Sequence, residues 1–211
     1  MRACGVGDTG DREHQGEQLL LALVADLDSG FAELVRAHER VVYSVALRLS
    51  SRPTDAEDLA AEAFLRAYRA LRGYDAERIA SLRLRPWLLT ILRNAARNAA
   101  RDAARRPAPP PGFEPAEQLT CGPSVEHSVE EQVEQHDIGR RLGGVLAQLP
   151  ETQRVAVVLR HVVGLPTSEV AEVLGCPDGT AKSHISRGLH RLRALLTEQP
   201  SDGLIAGRTV R

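Results

Sequence analysis

Residues Leu165–Leu196 read LPTSEVAEVLGCPDGTAKSHISRGLHRLRALL, two helical patterns joined by a tight break. In the first, Val170, Ala171 and Leu174 stand at helical spacing behind a Thr167/Ser168 start with Glu169 in the first turn, and Gly175-Cys176-Pro177 stops the helix. In the second, Ala181, Ile185, Leu189, Leu192 and Leu196 make a single apolar stripe that must pack on the rest of its domain. The opposite face then carries Thr180, Ser183, Arg187, His190 and Arg191, with Lys182 and Ser186 on its edge. From Cys176 to Leu196 the net charge is +3, and Asp178 is the sole acid. These features describe a helix-turn-helix whose second helix suits the major groove, where Arg and Lys reach guanine and phosphate oxygens. The competing reading is a helical hairpin with a merely solvated cationic face. The Gly-x-Pro break and the one-signed face favour DNA.

Composition narrows the fold. A chain of 211 residues with 3% aromatics allows one or two small domains with aliphatic, mostly helical cores, so an all-α fold is expected. Its net charge of -1 conceals an uneven distribution. Cys4, Cys121 and Cys176 are widely spaced and odd in number, which excludes a disulfide framework and a CxxC metal site and fits a reducing cytoplasm. The apolar run Leu19–Ala25 is followed by Asp26 and is too short to span a bilayer, so no membrane insertion is expected.

Working outward from the amino terminus, residues 1–16 are polar, glycine-containing and aperiodic, and are expected to form a disordered tail. A helix from Glu17 breaks at Asp28-Ser29-Gly30, and a second follows with Phe31, Leu34, Val35, His38, Val42, Val45, Ala46 and Leu49 on one stripe. His38 in that stripe reads as a core or boundary residue. Thr54 with Glu57 gives a capping-box start for a helix to about Leu71, whose first turns hold Asp55, Glu57, Asp58 and Glu62. The helix dipole accounts for part of this acidity, and a docking surface for a basic partner is the alternative. An irregular loop with Arg78, Arg83 and Arg85 leads to a helix opened by Pro86-Trp87, with Trp87, Leu88, Ile91 and Ala95 inward. On that helix Arg93, Arg97, Arg101 and Arg105 recur every four residues beside Asn94 and Asn98, giving a net +4 from Pro86 to Arg106. So few interleaved acids favour contact with a polyanion over simple solvation.

The composition then reverses. Residues 107–139 contain six prolines, seven acids and no Lys or Arg, for a net -7. This reads as a proline-rich acidic linker over 107–137. Beyond it Leu142, Val145, Leu146 and Leu149 form a helix ending at Pro150, and Val155 to Val163 forms another that leads into the helix-turn-helix. Two helical modules result, 17–106 and 138–196, with a carboxyl-terminal tail over 197–211.

Asp55-Ala56-Glu57-Asp58-Leu59, Phe64, Tyr68, Trp87-Leu88, Ile91 and Asn94 resemble region 2 of bacterial sigma factors in order and nearly in spacing. Leu149-Pro150-Glu151, Gln153-Arg154, Val170-Ala171, Leu174-Gly175 and Gly179-Thr180-Ala181-Lys182-Ser183 resemble region 4. The chain is thus similar to extracytoplasmic-function sigma factors of the sigma-70 family. That resemblance implies a protein without catalytic activity, cofactor or metal. Its partners would be core RNA polymerase, promoter DNA and an anti-sigma factor, with no small-molecule substrate.

Carried over by resemblance, the polymerase contacts are Asp55, Asp58, Leu59, Glu62 and Phe64. The minus-ten contacts are Arg83, Arg85, Trp87, Arg93, Asn94 and Arg97, with Asn94 at the pocket for a flipped-out base. The minus-thirty-five contacts are Lys182, Ser183, Ser186 and Arg187, and the exposed face adds Thr180, His190 and Arg191. Ala61 stands where the family often has Gln, Pro166 where Ser or Thr is common, and His184 where Arg is common. A stand-alone helix-turn-helix regulator is the alternative, though it leaves the acidic patch and the Trp87/Asn94 helix without a role. An enzyme is disfavoured, because HExxH, a nucleophile elbow and a phosphate loop are all missing from the sequence.

Overall fold

The computed structural model describes residues 8–50, 52–105 and 142–198. The expected linker, Cys4, Cys121 and most of the expected carboxyl-terminal tail lie outside the described residues. Those described are helical and connected by turns, as an all-α chain should be. The helices are α1 (Asp8–Ala25), α2 (Leu27–Leu49), α3 (Pro53–Leu71), α4 (Ala76–Ala80), α5 (Leu84–Arg105), α6 (142–147), α7 (Glu151–His161), α8 (Thr167–Leu174) and α9 (Asp178–Glu198).

In the first module α2 packs on α1 and α3, α3 on α5, and α4 against α1. Leu19, Leu23, Leu34, Val42, Val45 and Ala46 are buried as the periodicity selects, but on α5 the inward face is Leu84, Leu88, Leu89, Leu92 and Ala95, with the expected Trp87 and Ile91 only half-buried at its edge. Along α3 the fully buried positions are mostly alanine (Ala56, Ala63, Ala67), which brings its axis close to α2 and α5. At their edge Phe31 meets Phe64 and Tyr68 edge-on, with ring centroids 6.5 and 5.1 Å apart. The Tyr68 hydroxyl donates to the Asp28 carboxylate at 2.5 Å and ties α3 to the first turn of α2.

Three local expectations are corrected. First, α1 begins at Asp8, so 8–16 continue the helix instead of forming a tail. Gly10 and Gly16 had weighed against this, but a glycine costs only about 1 kcal/mol in a helix that is anchored further along, here by buried Leu19 and Leu23. Second, the α1/α2 break lies at Asp26, whose carboxylate accepts from the Ser29 amide at 2.8 Å as the α2 cap, so Asp28-Ser29-Gly30 is the first turn of α2 and not a gap. Gly30 is buried there because the α1 backbone passes over it. Third, α3 starts on Pro53 after Arg52, with no side-chain cap, so the Thr54/Glu57 capping box is not formed. Arg52 pairs with Asp55 at 2.8 Å instead.

The stretch expected as an irregular loop contains the short helix α4, started by Asp75 accepting from the Arg78 amide at 2.8 Å. Helix α5 opens two residues before Pro86, which sits in the first turn, where its missing amide leaves no bond unmade.

In the second module α7 packs on α9 and α8, and α8 on α9, around Val155, Val158, Leu159, Leu165, Val170, Val173 and Ala181. Helix α8 ends as the sequence indicates. Gly175 takes the left-handed conformation at φ 64°, and the Cys176 amide reaches back to the Ala171 carbonyl at 3.1 Å. The α9 stripe is shorter than expected, since Leu196 is 50% exposed.

Two stability predictions follow from this packing. A Cβ on Gly30 would lie 2.6 Å from Ala22 and Leu23 backbone atoms, whereas one on Gly16 meets nothing within 4 Å. Gly30→Ala should therefore lose about 1–3 kcal/mol in denaturant titration, while Gly16→Ala should gain up to about 1 kcal/mol. His38 is half-buried, its Nδ1 is 3.1 Å from the Leu34 carbonyl, and burial lowers its pKa with a smaller contribution from nearby Arg85. The unfolded chain thus binds the proton more readily than the folded one. Stability from this group should be complete above the ordinary histidine pKa of about 6.5 and decline as the pH falls from there toward the lowered folded value. Chemical denaturation of His38→Gln should show that part of the acid dependence removed.

Candidate nucleic-acid and polymerase interface

The expected polymerase-binding residues lie on the amino-terminal half of α3. Asp58 is exposed, and Asp55 and Glu62 are half-exposed beside their intrahelical partners Arg52 and Arg66. Phe64 is half-buried against Phe31, and Leu59, only 8% exposed, belongs to the core. Of the five, Leu59 is the one whose side chain is not offered to a partner. The surface is a carboxylate row over an apolar floor.

On α9 the one-signed face is in place. Thr180, Lys182, Ser186, Arg187, His190 and Arg191 are exposed, and Ala181 and Ile185 are buried beneath them. Ser183 is half-buried and its hydroxyl donates to the Gly179 carbonyl at 2.9 Å, leaving its oxygen lone pairs as the polar feature it can present. His184 points inward, with its Nδ1 buried and without a hydrogen-bond partner.

The expected minus-ten residues divide into two groups. Asn94 is exposed on α5. Trp87 is half-buried with its ring 6.4 Å from Tyr74, and Arg97 is 3.9 Å from Glu151 of α7. All four arginines reach across to the second module, Arg97 through this long pair and the other three more closely. Arg83 pairs with Glu169 at 2.6 Å and Glu172 at 2.8 Å, both on α8. Arg85 donates to the Val163 carbonyl at 2.8 Å. Arg93 donates to the Val173 and Leu174 carbonyls at 3.1 and 3.2 Å, at the electronegative carboxyl end of α8. Burial, and after it the neighbouring Arg97, lowers the Arg93 pKa, yet a guanidinium remains charged at any physiological pH. Along the same seam α2 touches α7, and a cleft lined by Leu49, Arg93, Ala96, Ala100, Glu151 and Arg154 runs between the modules.

The acidic partners Glu169 and Glu172 did not emerge from the sequence. Their spacing of three places them on one face of α8, but nothing local indicates cations more than eighty residues away.

Among the described residues no group of three or more His, Cys, Asp or Glu could hold a metal ion, and no helix is long and apolar enough to cross a membrane. The described helices thus present cations and amides on α5 and α9 and a carboxylate row on α3.

Comparison with known proteins identifies the family. The family model for sigma-70 region 2 matches residues 34–106, and that for sigma-70 region 4 matches 139–192. The chain is 33% identical over 170 residues to the ECF RNA polymerase sigma factor SigE of Mycolicibacterium smegmatis, covering 81% of this chain and 63% of that protein. It is also 33% identical over 172 residues to the RNA polymerase sigma-E factor of Streptomyces avermitilis, covering 82% of this chain and 88% of that one. The sigma factor RpoE of Bartonella quintana, solved with the anti-sigma factor NepR, superposes with a TM-score of 0.60 at 26% identity, over 80% of this chain and 98% of that chain. The chain belongs to the sigma-70 family and is an extracytoplasmic-function RNA polymerase sigma factor.

Proposed function

We propose that this sigma factor docks on core RNA polymerase through the α3 carboxylates Asp55, Asp58 and Glu62, reads the minus-thirty-five element with α9, and engages the minus-ten strand with α5. The observation that carries the reading is that Asn94 and Arg187, on separate modules, are both exposed on helices whose opposite faces are buried. An amide such as Asn94 can pair with the edge of an extruded base, and a guanidinium such as Arg187 can pair with guanine or phosphate. The stand-alone regulator reading is set aside, because residues 34–106 match sigma-70 region 2 and a regulator has no use for it. The Bartonella quintana relative was solved with an anti-sigma factor, which supports such a partner for this chain as well. Work in the cytoplasm accords with core polymerase as the partner.

The two promoter elements are about 25 base pairs apart, or about 85 Å at 3.4 Å per step. Residues 107–137 can reach on the order of 100 Å when fully extended, enough to let the modules bind both elements at once.

Two measurements test this function. Run-off transcription on DNA from upstream of the protein's own gene should yield a discrete transcript when core polymerase and the protein are combined; transcripts that do not change when the protein is omitted would reject it. In the holoenzyme, Arg187→Ala should weaken binding to duplex promoter about tenfold, the effect of losing a contact worth about 1–3 kcal/mol. Asn94→Ala should leave duplex binding nearly intact and slow strand opening, read by permanganate reactivity of unpaired thymines. Equal losses at both steps for both variants would contradict the division of roles.

A further inference from the structure

The arginines assigned to the minus-ten strand also join the two modules, beside the packing of α2 on α7. Arg83 spans Glu169 and Glu172 on α8, Arg93 covers the last carbonyls of the same helix, and Arg85 binds the Val163 carbonyl just ahead of it. The three arginines thereby follow α8 from the turn before it to its carboxyl end. To each of them α8 offers what a nucleic-acid backbone would offer, an anionic or strongly electronegative oxygen at hydrogen-bonding distance.

We infer that α8 is an internal substitute for the minus-ten strand: Arg83, Arg85 and Arg93 latch the free chain closed, and the latch must open before those arginines can meet DNA. The inference rests on the assignment of α5 to the minus-ten strand. Geometry makes the two states exclusive. In the closed state α5 and α8 are in direct contact, whereas on a promoter their modules are about 85 Å apart at 3.4 Å per base step.

The closed state is also asymmetric. The minus-thirty-five face of α9 stays exposed, while four of the six assigned minus-ten residues, Arg83, Arg85, Arg93 and, at 3.9 Å, Arg97, are engaged. The ion pairs suit a switch. Arg83 is 55% exposed and Glu172 42% exposed, so salt and competing anions can reach them. Glu169, at 20% exposed, is the more sheltered anchor.

The full chain can be tested with donor and acceptor dyes on Ala32→Cys in α2 and Thr197→Cys in α9, with Cys4, Cys121 and Cys176 replaced by Ser. Energy transfer should be high at low salt and fall as salt rises. Glu169→Gln/Glu172→Gln should lower it at every salt concentration, and Glu169→Arg/Glu172→Arg should lower it further. Adding Arg83→Glu to the double arginine variant should restore it by reversing the pairs.

A single-stranded oligonucleotide carrying the non-template minus-ten segment of the gene's own promoter, followed by anisotropy, should bind the Gln variant several-fold tighter than the parent chain. Transfer that is the same in all variants would overturn the latch even if run-off transcription succeeds. Transfer that responds as described while run-off transcription fails would support the latch and reject the promoter assignment instead.

Discussion

Everything the protein presents to its surroundings depends on how α5 divides its surface. One side of this helix buries Leu84, Leu88, Leu89, Leu92 and Ala95 against α2 and α3. Burying a leucine side chain contributes about 1.5–3 kcal/mol, so this face fixes the rotation of the helix without help from its polar residues. The arginines and asparagines on the remaining arc are then held out from the core, where water, a second module or nucleic acid must satisfy them. The second module does so for Arg85, Arg93 and Arg97, while Asn94 stays exposed.

The same division recurs on α9, with a different outcome. Ala181 and Ile185 are buried, Leu189 and Leu192 half-buried, and the cations opposite are exposed among the described residues. One cationic helix is engaged and the other is open. That difference comes from α8, whose Glu169 and Glu172 pair with Arg83 just ahead of α5. A single short helix thus supports the DNA-reading helix of its own module and occupies the arginines of the other.

The parts of the fold that were legible in the sequence are those set by period and by strong local signals. The apolar stripe of α2 identified its core face, those of α5 and α9 did so in part, and Gly175 marked the end of α8 because a left-handed residue there is chemically distinctive. Gly30 was misleading. Glycine signals both a break and a close approach, and only the position of the α1 backbone distinguishes them. Asp26 as a cap and Pro53 as the first residue of α3 were each shifted by a few residues, because Asp28, Thr54 and Glu57 offered equally good local chemistry. At the site, the exposure of Asn94 and Arg187 followed from helical geometry. The engagement of Arg83, Arg85 and Arg93 did not, since it depends on how two distant modules come together and leaves no mark on either segment alone.

The central claim is that two modules grip separate promoter elements only when core polymerase accompanies them, and hydroxyl-radical footprinting on the gene's own upstream duplex tests it most directly. The account predicts two protected tracts about 25 base pairs apart, a spacing of about 85 Å, when protein and core polymerase are both present, and at most weak protection of the upstream tract by the protein alone. A single strong, continuous footprint made by the protein without polymerase would contradict it.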